Sequence, residues 1–141
     1  MAKKEKVPKN PEVKDKKKRN LKANRRRGNA FEVKIAKELR ELGFDMVTSR
    51  SESKAMDNAK VDLIDKSGLM PCNLQLKKTI KYPNFLEIEK SCPIKDKPLA
   101  LIWDVQRATD STFRSDGTVV VMRKEFFYEL IKHYGKSNSN I

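Results

Sequence analysis

Apolar and polar positions change their period along this chain, and each change marks an element. Between positions 29 and 43, Phe31, Ile35, Ala36, Leu39 and Leu42 recur at three- and four-residue spacing, as in a helix with one buried stripe. Asn29 stands where an N-cap belongs and Gly43 where a helix stop belongs. Positions 45–49 make a short candidate strand around Val47 and Thr48, and 50–59 make a polar loop. Two runs of strand length, 60–65 and 72–79, flank Asp65-Lys66-Ser67-Gly68, so they read as a hairpin. After Pro83 a short helix is expected at 85–89. Pro98 to Val105 is almost continuously apolar, the pattern of a strand covered on both faces. Positions 106–117 read as a loop and 119–122 as a second buried strand. A helix follows at 124–134, with Phe127, Leu130, Ile131 and Tyr134 on one stripe, and a frayed terminus at 136–141.

The order is therefore helix, three strands, a short helix, two strands, helix. It predicts an α+β layered domain, with a mixed central sheet and helices packed on it. At 141 residues the chain has room for one domain.

Charge changes the picture at one end. Residues 1–27 hold 13 of the 32 lysines and arginines but only three of the 19 acids, so most of the net +13 belongs to this segment. With Pro8, Pro11 and few large apolar residues, positions 1–25 read as a basic tail that is disordered when free. Nucleic acid is the obvious counterpart, because cations set on phosphates release counterions; a solubilising tail or a nuclear-import address are the plainer alternatives. No apolar run is long enough to span a membrane, and no apolar region follows the basic start, so a soluble intracellular (cytoplasmic) protein is expected. Cys72 and Cys92 lie twenty residues apart with no CxxC and no histidine spacing, which argues against zinc and for a reducing compartment.

Candidate chemistry centres on the hairpin. Asp62 interrupts an apolar strand, where aspartate is disfavoured. On the second strand Asn73, Gln75, Lys77 and Thr79 share one face, and Leu74, Leu76 and Lys78 the other. An acid thus sits beside a strand offering a carbonyl oxygen and an ammonium two residues apart. Such a layout suits a metal-dependent phosphodiesterase, with oxygens for Mg²⁺ and a lysine for a charged phosphate. Glu32 shares a helix edge with Ala36 and Leu39, at the rim of the buried stripe, where a carboxylate needs compensation. A first-turn glutamate favouring the helix dipole is the plainer reading. His133 reads as a surface residue, and Trp103 as core or dimer interface.

Asp62 followed thirteen residues later by Gln75-Leu76-Lys77 resembles the PD-(D/E)xK nuclease signature, with glutamine in place of the usual carboxylate. Within that superfamily the chain is most similar to archaeal Hjc-type Holliday junction resolvases and their phage-encoded relatives. Arg26-Arg27-Gly28 before a helix bearing Glu32, and Ser49-Arg50-Ser51 before the Asp62 strand, carry the likeness over residues 26–135. The resemblance implies a restriction-endonuclease-like core and a Mg²⁺-dependent endonuclease (Mn²⁺ able to stand in) that resolves four-way DNA junctions as a homodimer. It implies Glu32, Asp62, Gln75 and the Leu76 carbonyl as metal ligands and Lys77 as the group that stabilises developing charge. The loop serine is taken as Ser51, with Ser49 and Ser53 as alternatives. Arg25, Arg26, Arg27, Arg50 and Lys78 are expected to hold DNA phosphates. Glutamine occurs at the Gln75 position in some members, such as Mrr-like restriction enzymes, but it removes one negative charge from the metal site. The rival expectations are the same fold acting on other DNA, a silent DNA-binding protein, and a basic structural protein of a virion or ribosome.

Overall fold

The computed structural model describes residues 11–49 and 61–139, with side chains described over 21–49 and 61–137. The elements run α1 (Pro11–Glu41), β1 (Met46–Thr48), β2 (Leu63–Asp65), β3 (Asn73–Thr79), α2 (Phe85–Ser91), β4 (Leu99–Ala108), β5 (Phe113–Met122) and α3 (Lys124–Ser139). The five strands form one mixed sheet in the order β1-β2-β3-β4-β5, with β3 parallel to β4 and every other pair antiparallel. The element order and the α+β layering are as the patterning predicts.

The layers follow from alternation on the central strands. Leu74, Leu76, Ala100 and Ile102 pack with Phe31, Ile35 and Ala36 of α1 and Phe126 of α3, so these helices cover one face. Leu99 and Leu101 pack with Phe85 and Ile88 of α2 on the opposite face. Met46 and Leu101 are completely buried, one on each side of this division. The end of α1 is set locally. Gly43, at φ 104°, donates to the Arg40 carbonyl at 3.0 Å, and Phe44 donates to the Leu39 carbonyl at 3.2 Å. This pair of bonds is a Schellman stop, and it requires the left-handed residue that glycine supplies most cheaply. The turn after β2 is built on Asp65. Its carboxylate accepts from the Asp45, Ser67, Leu69 and Met70 amides and from the Ser67 hydroxyl at 2.6–3.0 Å.

Several expectations need correction. Helix α1 begins at Pro11, not at Asn29, so Asn29 is not an N-cap and Arg25–Gly28 lie inside the helix rather than before it. The segment from Pro11 to Arg25, expected to be irregular, is helical here; residues 1–10 lie outside the described residues. The expected loop at 106–117 is mostly strand. Strand β4 runs on to Ala108 and β5 starts at Phe113, joined by a turn in which Thr109 and Thr112 bond to each other. This hairpin projects past the core, which is why its residues are polar. The 119–122 strand is not buried, for Val119 and Val120 are 44% and 52% exposed at the sheet edge. Helix α3 continues to Ser139 and packs through Phe126 and Leu130, while Phe127, Ile131 and Tyr134 face outward. Leu42, placed on the buried stripe by its spacing, is exposed beyond the helix end. Among the described residues no helix is long and apolar enough to cross a membrane.

Candidate functional site

Asp62 sits where the sheet opens. Its N–H donates to the Leu74 carbonyl at 3.0 Å, and its carbonyl accepts from the Ser49 N–H at 2.9 Å. The backbone is thereby pinned between the end of β1 and the start of β3, one residue before β2. Among the described residues, pairing of β2 with β3 is confined to Leu63 opposite Leu74, so farther along β3 none of them continues the strand along the edge facing β2. The Asp62 carboxylate fills that gap: Oδ2 accepts from the Leu76 N–H at 2.8 Å. In a strand the N–H and C=O of one residue point to the same edge, so the Leu76 carbonyl is turned to this side as well.

Gln75 and Lys77 project from β3 toward α2, on the same face as Leu101 and Trp103, their neighbours in register on β4. Glu32 approaches from α1. Glu32, Asp62, Gln75, Leu76 and Lys77 line one cleft of about 400 Å³, closed on the far side by Ile88 and Ser91 of α2. Helix α2 is held in place by its Asn84 cap, whose side chain accepts from the Glu87 N–H, and by an ion pair. In that pair Arg123 grips Glu89 through Nη2 and Nε at 2.6 and 2.9 Å. The Glu89 carboxylate raises the already high pKa of Arg123, mainly through these hydrogen bonds.

The telling atom is Gln75 Oε1. Gln75 is 6% exposed, and this oxygen is buried with no hydrogen bond. A buried acceptor without a partner costs about 1–3 kcal/mol, so its retention asks for a donor or a cation that the described residues do not supply. The donor set on this cleft is all oxygen: two carboxylates, a side-chain amide and a backbone carbonyl. It fits a hard divalent cation, although among the described residues no three His, Cys, Asp or Glu side chains gather as a metal-binding group.

Of the remaining predicted residues, some join this cleft and others do not. Lys78 does not, because alternation turns it to the α1 face, where its ammonium lies 3.8 Å from the buried Asp104 carboxylate. Arg25 and Arg26 are exposed on α1, on no part of this cleft. Arg27 is half-buried; it donates to the Ala23 carbonyl and to Asn24 Oδ1, and its guanidinium lies 5.1 Å over the Phe113 ring. Arg50, Ser51 and Ser53 lie outside the described residues, while Ser49 is buried beside Asp62. His133 is exposed, as expected. Trp103 is anchored in the fold by its Nε1–H on the Thr79 carbonyl at 3.1 Å and by an edge-on contact with Tyr82.

Sequence reasoning missed a second cleft of about 630 Å³, which shares Leu76 and Lys77 with the first and is bounded by α1 and the β4–β5 hairpin. Behind it, Asp104 accepts from Gln106 Nε2 at 2.9 Å, from Thr118 Oγ1 at 3.3 Å and from the Ser115 hydroxyl. The available signal was the polar pair Asp104 and Gln106 at alternate positions closing an apolar strand. No protein-family model, curated protein or solved structure matches the chain.

Proposed function

We propose that this protein is a Mg²⁺-dependent, structure-selective endonuclease with a restriction-endonuclease-like core, resolving four-way DNA junctions by paired nicks. One observation carries the reading: Glu32 from α1, Asp62 from just before β2, and Gln75 and Lys77 from β3 converge on one cleft, with the Gln75 carbonyl oxygen buried and, among the described residues, unbonded. Motif residues scattered by chance over the chain would have no reason to meet there.

The chain's own groups divide the work. Glu32, Asp62, Gln75 Oε1 and the Leu76 carbonyl form the oxygen set that would hold the ion. When bound, Mg²⁺ supplies Lewis-acid stabilisation of the scissile phosphate and eases loss of a proton from the attacking water. Asp62 is oriented for this by the Leu76 N–H on its Oδ2. Lys77, on the same face as Gln75, places an ammonium where negative charge grows on the phosphate oxygens, and fixed charge in a partly enclosed site acts more strongly than in water. Hydrolysis then leaves a 5′-phosphate and a 3′-hydroxyl. The exposed arginines Arg25 and Arg26, with the basic stretch of α1 before them, hold DNA arms through phosphates without reading bases.

Paired nicks need two sites, hence a C₂ dimer. The outward stripe Phe127, Ile131 and Tyr134 on α3, each at least 50% exposed, is the apolar face that fits it. The alternative candidate, β4, lies inside the sheet between β3 and β5 and carries buried residues on both faces. A second reading, a protein that holds junctions without cutting them, is favoured by the neutral amide at Gln75, which leaves two carboxylates on the cleft among the described residues.

The variant Asp62→Asn tests the assignment. Junction cleavage should be lost while junction binding, measured by gel shift, stays within about twofold of wild type. Cleavage at the wild-type rate would remove Asp62 from the metal site and the nuclease reading with it.

A further inference from the structure

The second cleft lies on the α1 face of the sheet and joins the first through Leu76 and Lys77. Its lining includes Arg27, Lys78 and Lys81 and, among the described residues, no carboxylate, so its charge suits a polyanion. Cations are only half of its character. Leu76, Ile80 and Phe113 give it apolar walls, which a phosphate groove has no use for. Its volume, about 630 Å³, falls in the range of small-molecule sites, large enough for a nucleotide and far too small for a duplex.

Two further features fit a base. Phe113 is 45% exposed, with the Arg27 guanidinium 5.1 Å from its ring centroid, so an aromatic ring and a cation in contact border the cleft, the two groups on which an unpaired base settles. At the floor, Gln106 is 8% exposed and its Nε2 is spent on Asp104. Asp104 accepts from this group as it does from two hydroxyls, so the amide is oriented with its NH₂ group toward Asp104. Its carbonyl oxygen is then the end available to the cleft it lines. The Ser115 and Thr118 hydroxyls on Asp104 hold the carboxylate in place and so set the orientation of Gln106.

We propose that this cleft holds a single unstacked nucleotide of the DNA strand next to the scissile phosphate. The base lies against Phe113 and Arg27, the Gln106 carbonyl accepts from an N–H on its edge, and Lys78 and Lys81 lie along its phosphates. Every base carries such an N–H, so the contact favours an unpaired base over a paired one and does little to select among the four. The inference rests on the nuclease reading and deepens it: preference for branched DNA would come from the ease with which a nucleotide leaves the stack at a branch.

The test is binding of the full chain to four-way junctions in chelator, with an abasic nucleotide placed in turn at each position around the nick site. Phe113→Ala should weaken binding of the intact junction about 5- to 100-fold, and Phe113→Trp should restore it. At one position only, the abasic substitution should abolish the difference between wild type and Phe113→Ala, since the ring has then lost its partner. Phe113 is an exposed hairpin residue, and equal thermal midpoints will show that both variants fold. A Phe113→Ala penalty that persists at every abasic position, or no penalty at all, overturns the unstacked-nucleotide inference and leaves the nuclease reading standing. Failure of wild type to bind any junction overturns both.

Discussion

Replacing Gln75 with methionine separates what this side chain costs from what it does. The side chain is 6% exposed and its Oε1 has no hydrogen bond, so the folded protein carries a desolvated, unsatisfied acceptor. That burden is about 1–3 kcal/mol. Methionine has a similar length and volume and adapts to irregular packing, so little is lost in exchange. In chelator Gln75→Met should therefore be more stable than wild type by about 1–2 kcal/mol, a rise in Tm of about 3–8 °C for a domain of this size. Magnesium should reverse the order. An ion that binds only the folded state adds about 2.7 kcal/mol at a hundred times its dissociation constant, and the variant, lacking the ligand, should gain much less. Thermal unfolding followed by circular dichroism in EDTA and across a MgCl₂ titration should show the two proteins crossing, with junction cleavage lost in the variant. Two results would refute the reasoning. Destabilisation of the variant by more than about 1 kcal/mol in EDTA would mean the carbonyl is satisfied in the native state. An equal Mg²⁺ response in both proteins would mean that Gln75 does not face the ion.

Other consequences are local. Burial pushes the Asp65 carboxyl up, but the Ser67 hydroxyl and the Met70, Ser67 and Asp45 N–H groups outweigh it, so its pKa lies below the ordinary 3.8. A depressed carboxyl stabilises above its unfolded pKa and loses that contribution as pH falls through the folded value. The stability gap between wild type and Asp65→Asn should thus be full above about pH 5 and close below about pH 4, as urea unfolding across pH will show; Asp65→Ala should cost about 1–3 kcal/mol at pH 7. Burial, opposed in part by Lys97, pushes the Cys72 thiol up to about 11, so Cys72 should resist alkylation at pH 8 in the folded protein and react on unfolding, read by mass spectrometry. Removing residues 2–24 should weaken junction binding and flatten the slope of log Kd against log salt; an unchanged slope would mean that this segment does not touch DNA.

How far the sequence revealed this depends on where burial imposes a period. The β2–β3 hairpin was legible because Leu74 and Leu76 must face the core, which fixes Gln75 and Lys77 on the other side. Gly43 was legible because a helix stop needs a left-handed residue. The helical stretch before Asn29 was not, since dense lysine and arginine hide any apolar period and leave only intrinsic propensity as a signal. The outer half of the β4–β5 hairpin was missed for a related reason: from Phe113 to Thr118 every residue is exposed, so nothing imposes alternation. On α3 the stripe Phe127, Ile131 and Tyr134 was read from spacing alone, which cannot say whether a helix turns its apolar side to its own sheet or outward. The placement of Lys78 by alternation, away from Gln75, holds in the fold, and it leaves Lys78 on the second cleft beside Asp104 rather than at the first. The polar cluster around Asp104 needs residues from two strands and could be seen only once they were paired.

The most direct measurement is cleavage of a labelled immobile four-way junction by the full chain, with and without Mg²⁺, beside a linear duplex of the same sequence. The account predicts two symmetric nicks on the junction, only with the ion, and an intact duplex. Junction binding with no cutting at any Mg²⁺ or Mn²⁺ concentration would contradict it, and would make the cleft around Gln75 a place that holds DNA without breaking it.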